Sequence, residues 1–90
     1  MFYYVYILYS LKDKKFYTGK TSDIFRRLQE HNEGKVYSTK NRRPLVLVNC
    51  EVYKDARDAY LREKELKYPS AGAFKKTLRE KLGINPTKAD

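Results

Sequence analysis

The stretch Phe2-Tyr3-Tyr4-Val5-Tyr6-Ile7-Leu8-Tyr9 decides the fold. Every position in it is apolar or aromatic, so both alternating faces of a strand built from it are apolar, and such a strand must be covered on both sides. It therefore reads as the central strand of a sheet. Leu11-Lys12-Asp13-Lys14-Lys15 follows as a polar, turn-forming segment, and Phe16 to Gly19 resumes the β pattern. The two runs make an antiparallel hairpin with a loop longer than the tightest turns.

Beyond Gly19 the period changes. Thr21, Ser22 and Asp23 are good N-cap residues, and Ile24, Phe25 and Leu28 recur at helical spacing until Gly34, a natural C-terminal stop. Lys35 to Pro44 is a basic, polar loop, and Leu45 to Tyr53 is a third strand. Asp55 caps a second helix through Lys67, which the Tyr68-Pro69 step ends. Ser70 caps a third helix, whose Phe74, Leu78 and Leu82 recur every four residues before Gly83 and Pro86 stop it. The expected fold is α+β, in the order ββαβαα: a three-stranded antiparallel sheet, strand one central, flanked by three helices. Residues 1–85 form one domain and 86–90 a frayed tail.

Ninety residues cannot support two separate cores, since a chain this short buries only ~60–65% of its unfolded surface. At 41% hydrophobic and 14% aromatic it is nonetheless too apolar to be disordered. Twenty Lys and Arg against eleven Asp and Glu leave a formal charge of +9, which attracts polyanions and makes nucleic acid the default partner. A membrane partner is not expected, because the longest apolar run falls far short of the ~20 residues a spanning helix needs. No secretory leader pattern is visible, as Phe2 follows Met1 with no basic segment. A single cysteine, Cys50, and a single histidine, His31, make neither a disulfide nor a zinc site. The expected setting is the cytoplasm, and any metal must be hard and oxygen-bound.

Several residues fall where chemistry could be done. Arg27 and His31 lie one helical turn apart and project from one face, as a phosphate-handling pair or as a solvated basic face. Glu63 falls one turn after Ala59, within an apolar stripe of Ala56, Ala59, Tyr60 and Leu66, with Arg62 and Glu65 facing outward. A carboxylate there costs several kcal/mol unless neutralised, paired or bound to metal. Glu63 is thus either a site residue or half of an ion pair with Lys64, Lys67 or an arginine. Of nine tyrosines, Tyr6 and Tyr17 stand out because the hairpin brings them close on one face, where two phenols can hold a water or a phosphate oxygen. Gly19 reads as a point where the strand backbone passes close to helix one.

In order, these positions resemble the GIY-YIG endonucleases. The first motif of that family reads here Tyr4-Val5-Tyr6 and the second Tyr17-Thr18-Gly19, followed by the helix Asp23 to Asn32 carrying Arg27 and His31, and by Glu63 on a later helix. The resemblance runs from about Phe2 to Lys67 and is greatest to small stand-alone bacterial members. Tyr4 stands where the name-giving glycine would be and Thr18 where isoleucine or valine is usual, and neither position supplies a catalytic hydroxyl. Some members use an asparagine near the domain's end, for which Asn85 is the candidate.

The resemblance implies metal-dependent hydrolysis of phosphodiester bonds by in-line attack of water, on DNA in preference to RNA, with little sequence selection. Glu63 would hold one Mg²⁺ or Mn²⁺, and Arg27 would contact the non-bridging oxygens. Tyr6 or Tyr17 would orient and deprotonate the water, with His31 as base or proton relay. Lys35, Lys40, Arg42 and Arg43, with Lys75, Lys76, Arg79 and Lys81, offer phosphate contacts without a base-reading element. A competing reading is a basic nucleic-acid-binding module that keeps the fold and has lost efficient cleavage. Glu63 argues against it, since a pure binder gains nothing from a carboxylate that repels DNA.

Overall fold

A computed structural model of the chain describes residues 1–68 and 71–84. Strand β1 (Tyr3–Ser10) pairs antiparallel with β2 (Phe16–Thr21) on one edge and with β3 (Leu45–Tyr53) on the other, in the order β2-β1-β3. The apolar run at the N-terminus is therefore the central strand. Its alternation sorts the molecule into two cores. Val5 and Ile7 pack on one face with Ala59 and Leu66 of helix α2 (Ala56–Lys67) and with Ala71 and Leu78, the latter in α3 (Gly72–Lys81). Tyr6 and Leu8 pack on the other face with Ile24 of α1 (Ile24–Asn32) and with Leu45. Val5, Ile7 and Leu8 are fully buried, each contributing roughly 1.5–3 kcal/mol.

The caps follow local rules. Asp23 accepts a hydrogen bond from the Arg26 amide at 3.1 Å, and Asp55 one from the Arg57 amide at 2.8 Å, so each carboxylate satisfies an otherwise unpaired donor. Gly34, at φ 78°, supplies the left-handed residue just beyond α1. Ala71 precedes α3 without a side-chain cap, and Ser70, Asn85 and the tail 86–90 lie outside the described residues. Among the described residues no helix is long and apolar enough to cross a membrane.

Four local expectations are corrected. β2 continues past Gly19 to Thr21, because Lys20 and Thr21 still pair with Val5 and Tyr4. Phe25 is 83% exposed, so the inward face of α1 is carried by Ile24, Leu28 and His31. On α2 the buried stripe is Ala59 and Leu66, whereas Ala56 and Tyr60 face solvent. Arg62 turns inward rather than outward: its guanidinium donates to Glu51 on β3 at 2.8 Å and to Glu65 at 2.8 Å, because a carboxylate on the neighbouring strand outcompetes solvent.

Candidate active site

The register of the hairpin sets Tyr6 opposite Gly19 and Leu8 opposite Tyr17, so Tyr6, Tyr17 and Gly19 share the sheet face that α1 covers. The Tyr6 ring lies across Gly19. A Cβ at that position would meet the phenol's oxygen and its Cζ, the latter at 2.5 Å, so the glycine accommodates Tyr6 and not helix α1 as the sequence suggested.

Held this way, the Tyr6 hydroxyl is buried and bonds to His31 Nε2 at 2.9 Å. The opposite ring nitrogen, Nδ1, bonds to Thr39 Oγ1 at 2.7 Å. His31 is fully buried, which removes the solvated-face reading for this residue and leaves a hydrogen-bonded chain Tyr6–His31–Thr39 through the site. Tyr17, half-buried as a residue, stands edge-on to the same imidazole, ring centroids 5.2 Å apart, and its hydroxyl accepts from Ser38 Oγ at 3.5 Å. Arg27 is half-buried, its Nη1 donating to Glu30 Oε1 at 3.0 Å.

Electrostatics follow from this burial. The Tyr6 phenol is pushed up to about 12, chiefly by desolvation; the Arg27 guanidinium beside it pulls the other way, while the charges of Tyr17 and Glu63 add to the rise. His31 is pushed down to about 4, by burial first and by the Arg27 charge second. The hydrogen bond to Glu30 holds Arg27 above its ordinary value. At neutral pH the cluster is thus a neutral phenol, a neutral imidazole and a fixed guanidinium. A neutral imidazole has one donor and one acceptor nitrogen. If Nε2 accepts the phenolic proton of Tyr6, Nδ1–H donates to Thr39.

Glu63 approaches from α2, which packs against β1 and β2, and its charge reaches Tyr6. Its side chain is 18% exposed, and its carboxylate is paired with Lys67 Nζ at 3.1 Å. Among the described residues no group of three or more His, Cys, Asp and Glu side chains gathers. One hard oxygen ligand suits Mg²⁺ or Mn²⁺, since Mg²⁺ binds through one or two carboxylates and keeps several waters. The donor set therefore fits such an ion, provided Lys67 moves aside.

The loop cations divide. Arg42 is tied to the hairpin, its Nε donating to Asp13 Oδ2 at 2.5 Å and its Nη2 to the Phe16 carbonyl at 3.3 Å, which holds the Asp13 carboxyl below its usual range. Lys35 pairs with Glu33 at 3.0 Å. Arg43 is exposed, its Nε on the Lys40 carbonyl at 2.9 Å and its guanidinium over Gly34. Lys40 is exposed and sits 4.9 Å from the centre of the Tyr37 ring. Thr39 and Ser38, which orient His31 and Tyr17, carried no signal in the sequence: they are small hydroxyl residues in a polar loop, and only the fold brings them onto the site.

A family model described as the GIY-YIG catalytic domain matches residues 2–81. A UPF0213 protein of Syntrophus aciditrophicus is 47% identical over 66 residues, covering 71% of this chain and 75% of its own length. A UPF0213 protein of Staphylococcus haemolyticus is 44% identical over 66 residues, 72% of this chain and 79% of its own. The solution NMR structure of the UPF0213 protein BH0048 from Bacillus halodurans is similar across 100% of this chain and 98% of its own, with a TM-score of 0.57 and 33% identity.

Proposed function

Because the chain belongs to the GIY-YIG nuclease family, we propose that it is a metal-dependent endonuclease that hydrolyses nucleic-acid phosphodiester bonds, on DNA in preference to RNA and with little sequence selection. The buried chain Tyr6–His31–Thr39 with Arg27 beside it is the observation that carries the reading. Burying an imidazole and a phenol hydroxyl is costly unless each is hydrogen-bonded, and here both serve one cluster next to a fixed positive charge.

The residues divide the work. Arg27, permanently charged and steadied by Glu30, donates to the non-bridging oxygens of the phosphate, where negative charge grows during in-line attack. Tyr17, the less buried of the two tyrosines, orients the attacking water. Tyr6 accepts the proton of that water as its own phenolic proton passes to His31 Nε2, and Thr39 holds the ring in the tautomer that leaves Nε2 free. With the Tyr6 phenol held near 12 and the His31 imidazole near 4, this transfer is uphill in the resting site. Glu63 would hold a Mg²⁺ or Mn²⁺ ion, which when bound supplies charge neutralisation at the phosphate and the leaving 3′ oxygen. Lys40 and Arg43 contact flanking phosphates, and Lys35 does so when released from Glu33. Arg42 serves the hairpin first.

Incubation of the full chain with labelled duplex, flap, single-stranded and RNA substrates, with and without Mn²⁺, tests this. Metal-dependent cuts with binding that weakens steeply between 50 and 200 mM salt are expected. Tight, salt-sensitive binding with no cut on any substrate in any metal would leave a binding module instead.

A further inference from the structure

The segment that follows α1 is fastened to the catalytic cluster by one side of a helical turn. The amides of Thr39 and Lys40 both bond to the Val36 carbonyl, at 3.1 and 2.9 Å. Val36 and Thr39 face inward and are buried, and Thr39 reaches His31 while Ser38 reaches Tyr17. The other side of the turn presents Tyr37 and Lys40 outward. Tyr37 is 84% exposed, and Lys40 holds its ammonium 4.9 Å from the ring centre. A large ring so fully in water contributes almost nothing to this domain's core. The turn that carries it is nonetheless anchored, one residue from the serine that bonds to Tyr17.

Resting on the phosphodiesterase reading above, we infer that Tyr37 and Lys40 form a nucleotide clamp that selects substrates with unpaired nucleotides beside the scissile phosphate. The phenol supplies a stacking platform for one base, and the ammonium on the same turn meets the adjoining phosphate. Stacking on an aromatic side chain tolerates any base, because every base has a π-face, which accords with a site lacking base-reading groups. It requires the base to be free. Within a duplex each base is already stacked on both sides, so an exposed side chain can engage only an end, a flap, a flipped base or a single strand. The turn that carries the clamp is tied to the site through Thr39 and Ser38, so the platform stands on the same loop that holds His31 and Tyr17.

The test uses the full chain without divalent metal, so that binding is read without cutting. Affinities are measured for single-stranded DNA, single-stranded RNA of the same sequence, a flap duplex and a blunt duplex, with wild type, Tyr37→Ala and Tyr37→Phe. Tyr37→Ala should weaken binding to the single strands and the flap by about 5- to 150-fold and change blunt-duplex affinity less than about twofold, while Tyr37→Phe stays near wild type. The two single-stranded arms show whether DNA, RNA or both supply the base. Equal losses on all four nucleic acids, or no loss on any, would overturn the clamp even if the wild type still cuts with metal. A wild type that neither binds nor cuts any of the four would remove the nuclease reading itself, and the clamp with it.

Discussion

Replacing Gly19 with alanine adds a single methyl where the Tyr6 ring now lies. The new Cβ would stand 2.5 Å from Tyr6 Cζ and 3.0 Å from Cε1, distances at which something must shift. Backbone conformation is not at issue, because only Gly34 and Gly83 among the glycines have a positive φ. The ring cannot give way freely either, since its hydroxyl is fastened to His31 and its body is packed in the α1-side core. Overpacking of this kind costs about 1–3 kcal/mol, and displacing the phenol forfeits a hydrogen bond worth roughly 0.5–1.5 kcal/mol. We expect Gly19→Ala to lose about 2–3 kcal/mol, which in a domain of this size lowers Tm by roughly 10–20 °C. Thermal melting followed by circular dichroism reads this directly. Combining it with Tyr6→Leu, which removes the phenol altogether, should recover at least ~1 kcal/mol of the Gly19→Ala loss as a coupling term. Tyr6→Phe should recover less, because Cζ and Cε1 remain. A Gly19→Ala protein with the wild-type Tm, or one equally destabilised in the Tyr6→Leu background, would refute the contact on which the site's geometry depends.

Three further outcomes follow from the same structure. Arg42→Ala should lower stability by about 1–3 kcal/mol, because it strands Asp13 and frees the Phe16 carbonyl, and urea unfolding would show the loss as a lower midpoint at unchanged slope. His31 titrates near 4 in the fold against an unfolded value of 6.5, so the unfolded chain binds more protons in that window, and stability should fall by up to about 3 kcal/mol as pH drops from 6.5 to 4. His31→Asn should flatten that slope in pH-dependent melts. Arg27→Lys should cut the cleavage rate by about 10- to 1000-fold, since an ammonium keeps the charge but not the fork that spans two phosphate oxygens; near-normal turnover would return Arg27 to a solvated helix face.

How much of this could be read beforehand differs by residue for physical reasons. The central strand was legible because a run apolar on both faces has few places to go, and the helix starts because Asp23 and Asp55 act through local capping. Tyr6, Tyr17, Arg27, His31 and Glu63 were singled out by residue type, order and spacing. Their relations depended on the fold: His31 and Tyr6 are 25 residues apart and Arg42 and Asp13 are 29, and pairing over such separations leaves no periodic trace. Phe25 and Tyr60 misled for the opposite reason, as aromatic side chains at helical spacing that the short helices leave in water. Arg62 could not be assigned from its helix alone, because its partner Glu51 lies on β3.

The most direct test of the nuclease assignment is the cleavage rate of Glu63→Gln on the same labelled substrates in Mg²⁺ and Mn²⁺, beside its melting curve. Glutamine keeps the shape of the side chain and removes the charge a divalent ion needs, and losing the partly exposed pair with Lys67 should cost no more than about 1 kcal/mol. We expect a folded variant that binds metal-free nucleic acid at least as well as wild type and cuts at least ~100-fold more slowly in either metal. A folded, binding Glu63→Gln that still cuts at the wild-type rate would contradict the metal site and with it the proposed mechanism.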